Sequence, residues 1–207
     1  MEIALVLTGL LALCDWIAVA TNNKKIEYVC KSGTLAGLIA VALLIDPEVD
    51  TQRTWFVVAL VFSLLGDVFL MLHPRMFLFG VASFFLAHIG YIVGFWQTDV
   101  SVVVFVVAVL GAFVVGLFLA RTILTSIRSG PNREFLGPVM AYMLVITLML
   151  ASGIGTGEAA AIVGGSLFYV SDSLIAWNRF VRPIAWAPLA IIVTYHLGQL
   201  GLVLSLT

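Results

Sequence analysis

Long apolar runs, separated by short interruptions that carry charge, proline or glycine, divide this 207-residue chain into eight segments. A helix that crosses a bilayer needs roughly 20 predominantly apolar residues. The runs of that kind extend from Ile3 to Ala20, Cys30 to Ile45, Trp55 to Leu72, Phe77 to Trp96, Val100 to Ala120, Gly137 to Ile154, Ala159 to Trp177 and Ile184 to Leu206. The expected architecture is all-α: a polytopic membrane bundle of about eight helices, forming one domain over residues 1–207. The longest connection, Arg121 to Leu136, contains Ser129-Gly130-Pro131-Asn132 and is expected to be a small surface loop. Ala18-Val19-Ala20 imitates a signal-peptide cleavage site. The stretch before it opens on Met1-Glu2 with no basic residue, and Lys24-Lys25 follows it, so the first run is expected to stay as a span.

Composition strengthens this picture. The chain is 62% hydrophobic and 10% charged, with mean hydropathy +1.17, against about 45–50% apolar and about 25% charged for soluble domains. A water-soluble fold is excluded. Ten basic and eleven acidic residues give a net charge of -1, so the basic surplus that nucleic-acid binding uses is missing and no nucleic-acid partner is expected. Cys14 and Cys30 form no CxxC and have no histidine at ligand spacing, and read as free thiols.

Charge also predicts orientation, because loops rich in lysine and arginine stay cytoplasmic. Lys24, Lys25, Lys31, Arg75, Arg121, Arg128, Arg133, Arg179 and Arg182 all fall at the first, third, fifth and seventh loops, and Arg53 alone lies at the other end with Asp46, Glu48, Asp50, Asp99 and Glu158. Both termini are therefore expected on the non-cytoplasmic side.

Three aspartates interrupt the apolar runs: Asp15, Asp67 and Asp172. An ionisable group inside a span is costly, and it usually faces the bundle interior in a working site. Each lies on an odd-numbered run near its cytoplasmic end, so at about 1.5 Å per residue the three share one layer. Ser63, Gly66, Asp67 and Leu70 fall on one helical face, as do Gly165, Phe168, Asp172 and Ile175, which puts each carboxylate beside small residues that let helices approach. Phe84, His88, Tyr91 and Phe95 form an aromatic stripe on the fourth run. Tyr195 and Gln199 share a face of the eighth, with His196 beside them, and Lys31 is expected to begin the second helix at the cytoplasmic level. Taken singly, each has a plainer reading: a buried aspartate bonding a neighbouring helix, a packed histidine, a snorkelling lysine. A faint internal echo links Ser63–Asp67 and His88 with Ser166–Asp172 and His196, in the manner of a duplicated four-span unit.

Three words, in order, carry a resemblance: Leu65-Gly66-Asp67-Val68-Phe69-Leu70-Met71, Phe85-Leu86-Ala87-His88-Ile89-Gly90-Tyr91 and Phe168-Tyr169-Val170-Ser171-Asp172-Ser173-Leu174. The chain resembles the YhhN-like lysoplasmalogenase family from about Tyr28 to Gln199, with Lys31, Tyr142, Tyr195 and Gln199 at further matching positions and Ser32 where members usually carry proline. The resemblance implies an eight-span enzyme that hydrolyses the vinyl ether bond of lysoplasmalogens to a fatty aldehyde and a glycerophospho-base, with Asp67 and Asp172 as the catalytic pair. The substrate would be a lysophospholipid drawn from surrounding membrane lipids, in a bacterial inner membrane with the site toward the cytoplasm.

The chemistry suits two carboxyls. Protonation of the carbon beta to oxygen gives an oxocarbenium ion, water captures it, and the hemiacetal collapses. In an apolar site desolvation and mutual repulsion leave one acid with a proton to give while the other stays ionised and steadies the cation, as in glycosidases by analogy of chemistry. The substrate-binding set expected around the pair is Lys31, His88, Tyr91, Tyr142, Ser171, Arg179, Tyr195 and Gln199, with Lys31 and Arg179 holding phosphate; no metal or cofactor is called for. Which aspartate is acid and which base stays open, as do the roles of Asp15 and His196. Two other classes use similar residues: a proton-coupled transporter, whose relays are also buried carboxylates and histidines, and a non-catalytic lipid-binding or assembly subunit.

Overall fold

The computed structural model describes residues 1–207, the side chain of residue 74 excepted. Among the described residues there are eight helices long and apolar enough to cross a membrane: α1 (Glu2–Ala20), α2 (Lys24–Leu44), α3 (Asp50–Leu72), α4 (Phe77–Phe95), α5 (Val102–Ser129), α6 (Leu136–Thr156), α7 (Ala159–Phe180) and α8 (Ala187–Leu204). The chain is an integral membrane protein of the all-α class.

Several helices outrun the apolar runs that predict them, because a helix continues wherever its backbone is capped, whether or not its residues are apolar. α2 begins at Lys24 rather than Cys30: the Asn23 side chain accepts from the Ile26 amide at 3.3 Å, and Lys24 pairs with Glu27 at 2.7 Å in the first turn. Lys31 therefore lies well inside α2, not at its start. α3 begins at Asp50, whose carboxylate holds Arg53 at 2.6 Å. α5 runs on to Ser129, so Arg121–Ser129, expected as loop, is helix, and the true connection shrinks to residues 130–132 before a 3-10 turn at Arg133–Phe135. Proline at 131 stops α5 there. α6 ends on Gly157, whose φ of 77° is the left-handed cap that a glycine adopts without strain. At α8 the run opens later than expected, at Ala187 with Pro188 in the first turn.

Seven helices close a ring in the order α1, α2, α3, α4, α6, α7, α8, and α5 packs outside it against α6 and α7. The outer face of α5 keeps Val103, Val107, Phe113, Val114, Val115 and Phe118 exposed, as a lipid-facing helix should. Inside the ring, two hairpins approach most closely. On α3 and α4, Gly66 sits under the Phe84 ring and Gly90 against Ala59; on α7 and α8, Gly164 lies against Gly198 and Gly201, backbone to backbone. Phe56 then fills the centre with its ring edge-on to Tyr91 and Phe95, 5.1 Å from each. The buried core that results also holds polar side chains, among them Asp15, Asp67, His88, His196 and Gln199.

Candidate active site

Asp67 is 1% exposed on the face of α3 that Ser63 and Gly66 share. Its Oδ1 accepts from the Lys31 ammonium at 2.8 Å and its Oδ2 from the Tyr195 hydroxyl at 2.8 Å. The lysine reaches it from within α2, the tyrosine from α8, and Lys31 Nζ also stands 5.7 Å from the Tyr195 ring centroid. With a cation on one oxygen and a hydroxyl donor on the other, Asp67 has the surroundings of an ionised carboxylate.

Asp172 has a different shell. Tyr142 of α6 donates to its Oδ2 at 2.6 Å, and His88 Nε2 of α4 stands 3.6 Å from that oxygen. His88 Nδ1 lies 2.6 Å from the Phe84 carbonyl. A carbonyl only accepts, so Nδ1 carries the proton in that bond. In the neutral ring Nε2 is then a lone pair facing a carboxyl oxygen across 3.6 Å, too far for a direct hydrogen bond. The histidine is fully buried and the Asp172 side chain is 9% exposed.

Aromatic side chains connect the two shells. Tyr195 packs edge-on to Phe168 at 5.4 Å and to Phe84 at 5.8 Å, and Phe168 meets His88 at 4.8 Å. On the Asp172 side a narrow apolar cavity of about 80 Å³ is bounded by Leu70, Phe84, Tyr142, Ile146, Tyr169 and Asp172, and it extends to Phe77 and Phe180 at the ends of α4 and α7. The Arg179 guanidinium lies over the Phe77 ring at 4.7 Å. The walls are largely apolar, and the Arg179 guanidinium is the cation at the Phe77 end.

The remaining predicted residues divide. Tyr91 and Gln199 bond each other, hydroxyl to amide oxygen, in the fully buried centre of the ring. Ser171 donates to the Ile191 carbonyl at 3.1 Å and ties α7 to α8. Lys31 and Arg179 stand at different places, one on Asp67 and the other at the Phe77 end of the cavity. Asp15 and His196 face each other on α1 and α8, with Trp16 donating to His196 Nδ1 at 3.2 Å. Sequence reasoning missed that tryptophan and the cavity residues Phe77, Tyr169 and Phe180; only their place beside Asp15, Asp172 and Arg179 in the chain pointed to them.

Comparison with known proteins follows the same words. The family model described as the YhhN family matches residues 26–206. Lysoplasmalogenase TMEM86B of Mus musculus is 34% identical over 155 residues, 74% of this chain and 64% of its own length. The proteins of that name from Homo sapiens and Rattus norvegicus are 32% and 33% identical, over 71% and 73% of this chain and 61% of each relative. The chain thus spans a little under two thirds of the relatives it matches. No solved structure matches it.

Proposed function

The chain belongs to the YhhN family, and from that premise we propose that it is a membrane lysoplasmalogenase, hydrolysing the vinyl ether bond of a single-chain glycerophospholipid to a fatty aldehyde and a glycerophospho-base. The observation that carries this reading is the unequal pair of buried carboxyls: Asp67 held by Lys31 and Tyr195, Asp172 bonded by Tyr142 with His88 3.6 Å away beside an apolar cavity. The relatives named lysoplasmalogenase support it.

In this reading Asp172 is the acid and Asp67 the base. The alkyl chain enters the cavity between α4, α6 and α7, with phosphate toward Arg179. Asp172, replenished through His88, gives its proton to the carbon beta to the ether oxygen, and the oxocarbenium charge forms between the two carboxyls. Asp67 steadies that cation and takes a proton from the attacking water. When the hemiacetal collapses, its hydroxyl proton returns to the Asp172–His88 pair and Asp67 delivers its proton to the leaving glycerol oxygen, so both groups end as they began. Tyr142 fixes the Asp172 carboxyl, and Lys31 positions Asp67 rather than holding phosphate. The layer faces the cytoplasm, the side that the basic loops assign.

The test is direct. Detergent-purified protein is incubated with a lysoplasmalogen and with the acyl lysolipid of the same headgroup, and fatty aldehyde is measured. Aldehyde from the vinyl ether lipid alone supports the proposal. No aldehyde, together with proton-dependent solute flux in liposomes, replaces it with a transporter.

A further inference from the structure

At the acidic end of the bundle, where α4, α6 and α8 finish and α3 and α7 begin, the helices enclose a hollow of about 530 Å³. Small-molecule sites commonly occupy about 300–1,000 Å³. Gln52 and Phe95 are buried in its wall, while Glu48, Asp99 and Glu158 line it with exposed carboxylates. Gln52 lies fifteen residues before Asp67 on α3, roughly 22 Å along the helix. The hollow shares no lining residue with the cavity beside Asp172, and the scheme above makes no use of it.

Gln52 is 7% exposed, and among the described residues its side-chain amide bonds to nothing. Buried polar groups are nearly always paired, and each exception calls for an explanation. The surroundings of this amide are one-sided. Thr98, Thr156 and Ser205 also line the hollow, and each hydroxyl donates its hydrogen to the carbonyl three residues back, at 2.8, 2.7 and 2.8 Å. What they can offer a ligand is lone pairs. No lysine, arginine or histidine lines the hollow. Arg53, next to Gln52 in the chain, is turned to Asp50 and to the Ile45 carbonyl, at 2.6 and 2.8 Å. The hollow is rich in acceptors and negative charge and short of donors.

That combination selects among cations. Among the described residues no three acidic, histidine or cysteine side chains stand close enough to hold one metal ion. Glu48, Asp99 and Glu158 come from three separate connections, α2 to α3, α4 to α5 and α6 to α7, so a cation with its charge spread along a chain reaches carboxylates that a single ion cannot. A primary ammonium brings three N–H donors and a quaternary one none, and the lone pairs of the hydroxyls and of Gln52 favour the former.

We propose that this hollow is a binding site for a linear diamine or polyamine. One ammonium bonds Gln52 Oε1 and the lining hydroxyls, and the rest of the charge is met by the carboxylates of Glu48, Asp99 and Glu158. The site stands at the opposite end of the bundle from the carboxyl pair and is independent of the hydrolase reading.

The full chain in phosphatidylcholine nanodiscs is titrated calorimetrically, against empty discs, with three dications. They are hexamethylenediamine, hexamethonium, which keeps the carbon spacing and charge but has no N–H, and Mg²⁺. The expected result is saturable binding of one diamine per chain, about 10-fold tighter than hexamethonium, the worth of one charge-assisted hydrogen bond, and not displaced by an equal concentration of Mg²⁺. Gln52→Leu should bring the diamine to the level of hexamethonium and leave hexamethonium unchanged, a difference that a merely structural role would not produce. Asp99 and Glu158 are exposed and, among the described residues, in no ion pair, so Asp99→Asn with Glu158→Gln keeps the fold and should weaken both organic dications by about 10-fold. Equal affinity for diamine and hexamethonium, displacement by Mg²⁺, indifference to Gln52→Leu or to the double carboxylate variant, or no saturable binding overturns the proposal. Should Gln52→Leu fail to fold, the double variant and the three probes on unmodified protein still decide.

Discussion

Asp67 and Asp172 are the same residue type in one bundle, and what separates them is the company each keeps. Asp67 bonds a lysine and a tyrosine; Asp172 bonds a tyrosine and faces a histidine. On the proposed reading Asp172→Asn removes the proton donor, and should lower aldehyde release by about 10²- to 10⁴-fold with the fold intact, read as turnover of a lysoplasmalogen by detergent-solubilised protein of unchanged thermal stability. Lys31→Met acts differently. It strands a buried carboxylate, which costs about 3–5 kcal/mol, whereas adding Asp67→Asn removes the charge that was stranded. The double variant should therefore melt at a higher temperature than Lys31→Met alone, and additive losses would show that the two side chains do not act as a pair. Both aspartates were legible in the sequence because a carboxylate in an apolar run is conspicuous. Their unequal shells were not, since Lys31 and Tyr195 are brought to Asp67, and His88 and Tyr142 to Asp172, by packing between helices far apart in the chain. Lys31 shows the limit: hydropathy put it at a helix start and suggested a phosphate ligand, while the capped first turn of α2 sets it deeper, against a carboxylate.

Helices α3 with α4 and α7 with α8 gain their closeness from missing side chains. A Cβ at Gly164 would stand 2.6 Å from the Leu202 amide nitrogen and one at Gly201 2.6 Å from the Gly164 Cα. Backbone cannot move aside as a side chain does, so Gly164→Val should push α7 from α8 and cost about 1–3 kcal/mol, seen as a lower melting temperature and, because Tyr195 rides on α8, as weaker activity. Gly111 on α5 is the control, for nothing lies within 4 Å of its Cβ position. Gly111→Ala should leave the melting temperature level or raise it, through a stability gain of about 0.4–1 kcal/mol from the unfolded chain; a loss as large as that of Gly164→Val would mean that glycine count, not contact, governs these helices. The eight elements were readable from hydropathy alone, as runs near bilayer length. Their ends were less so, because Asn23 and Ser101 cap helices with side-chain oxygens that an apolar count does not register, and because Arg121 to Ser129 continue α5 into a polar setting.

The assembled bundle is electrically lopsided along its axis. One end carries Lys24, Lys25, Arg75, Arg128, Arg133 and Arg182; the other carries Asp46, Glu48, Asp50, Asp99 and Glu158, with Glu48, Asp99, Glu158 and Gln52 lining a polar hollow there. Asp67 and Asp172 lie toward the basic end, so on the proposed reading orientation in the membrane decides which compartment supplies water to Asp67 and receives the glycerophospho-base. The ring itself has no preference, since either insertion satisfies its apolar surface equally; only the loops choose, through the retention of basic residues on the cytoplasmic side. Single cysteines in a Cys14→Ser, Cys30→Ser background test the choice. Ser129→Cys should react with a membrane-impermeant maleimide only after cells are opened, and Thr98→Cys should react from outside intact cells. The reverse pattern would turn the site to the exterior, and a headgroup would then have to approach from the outer leaflet, where Arg179 would meet it on the opposite side of the membrane from any cytoplasmic pool.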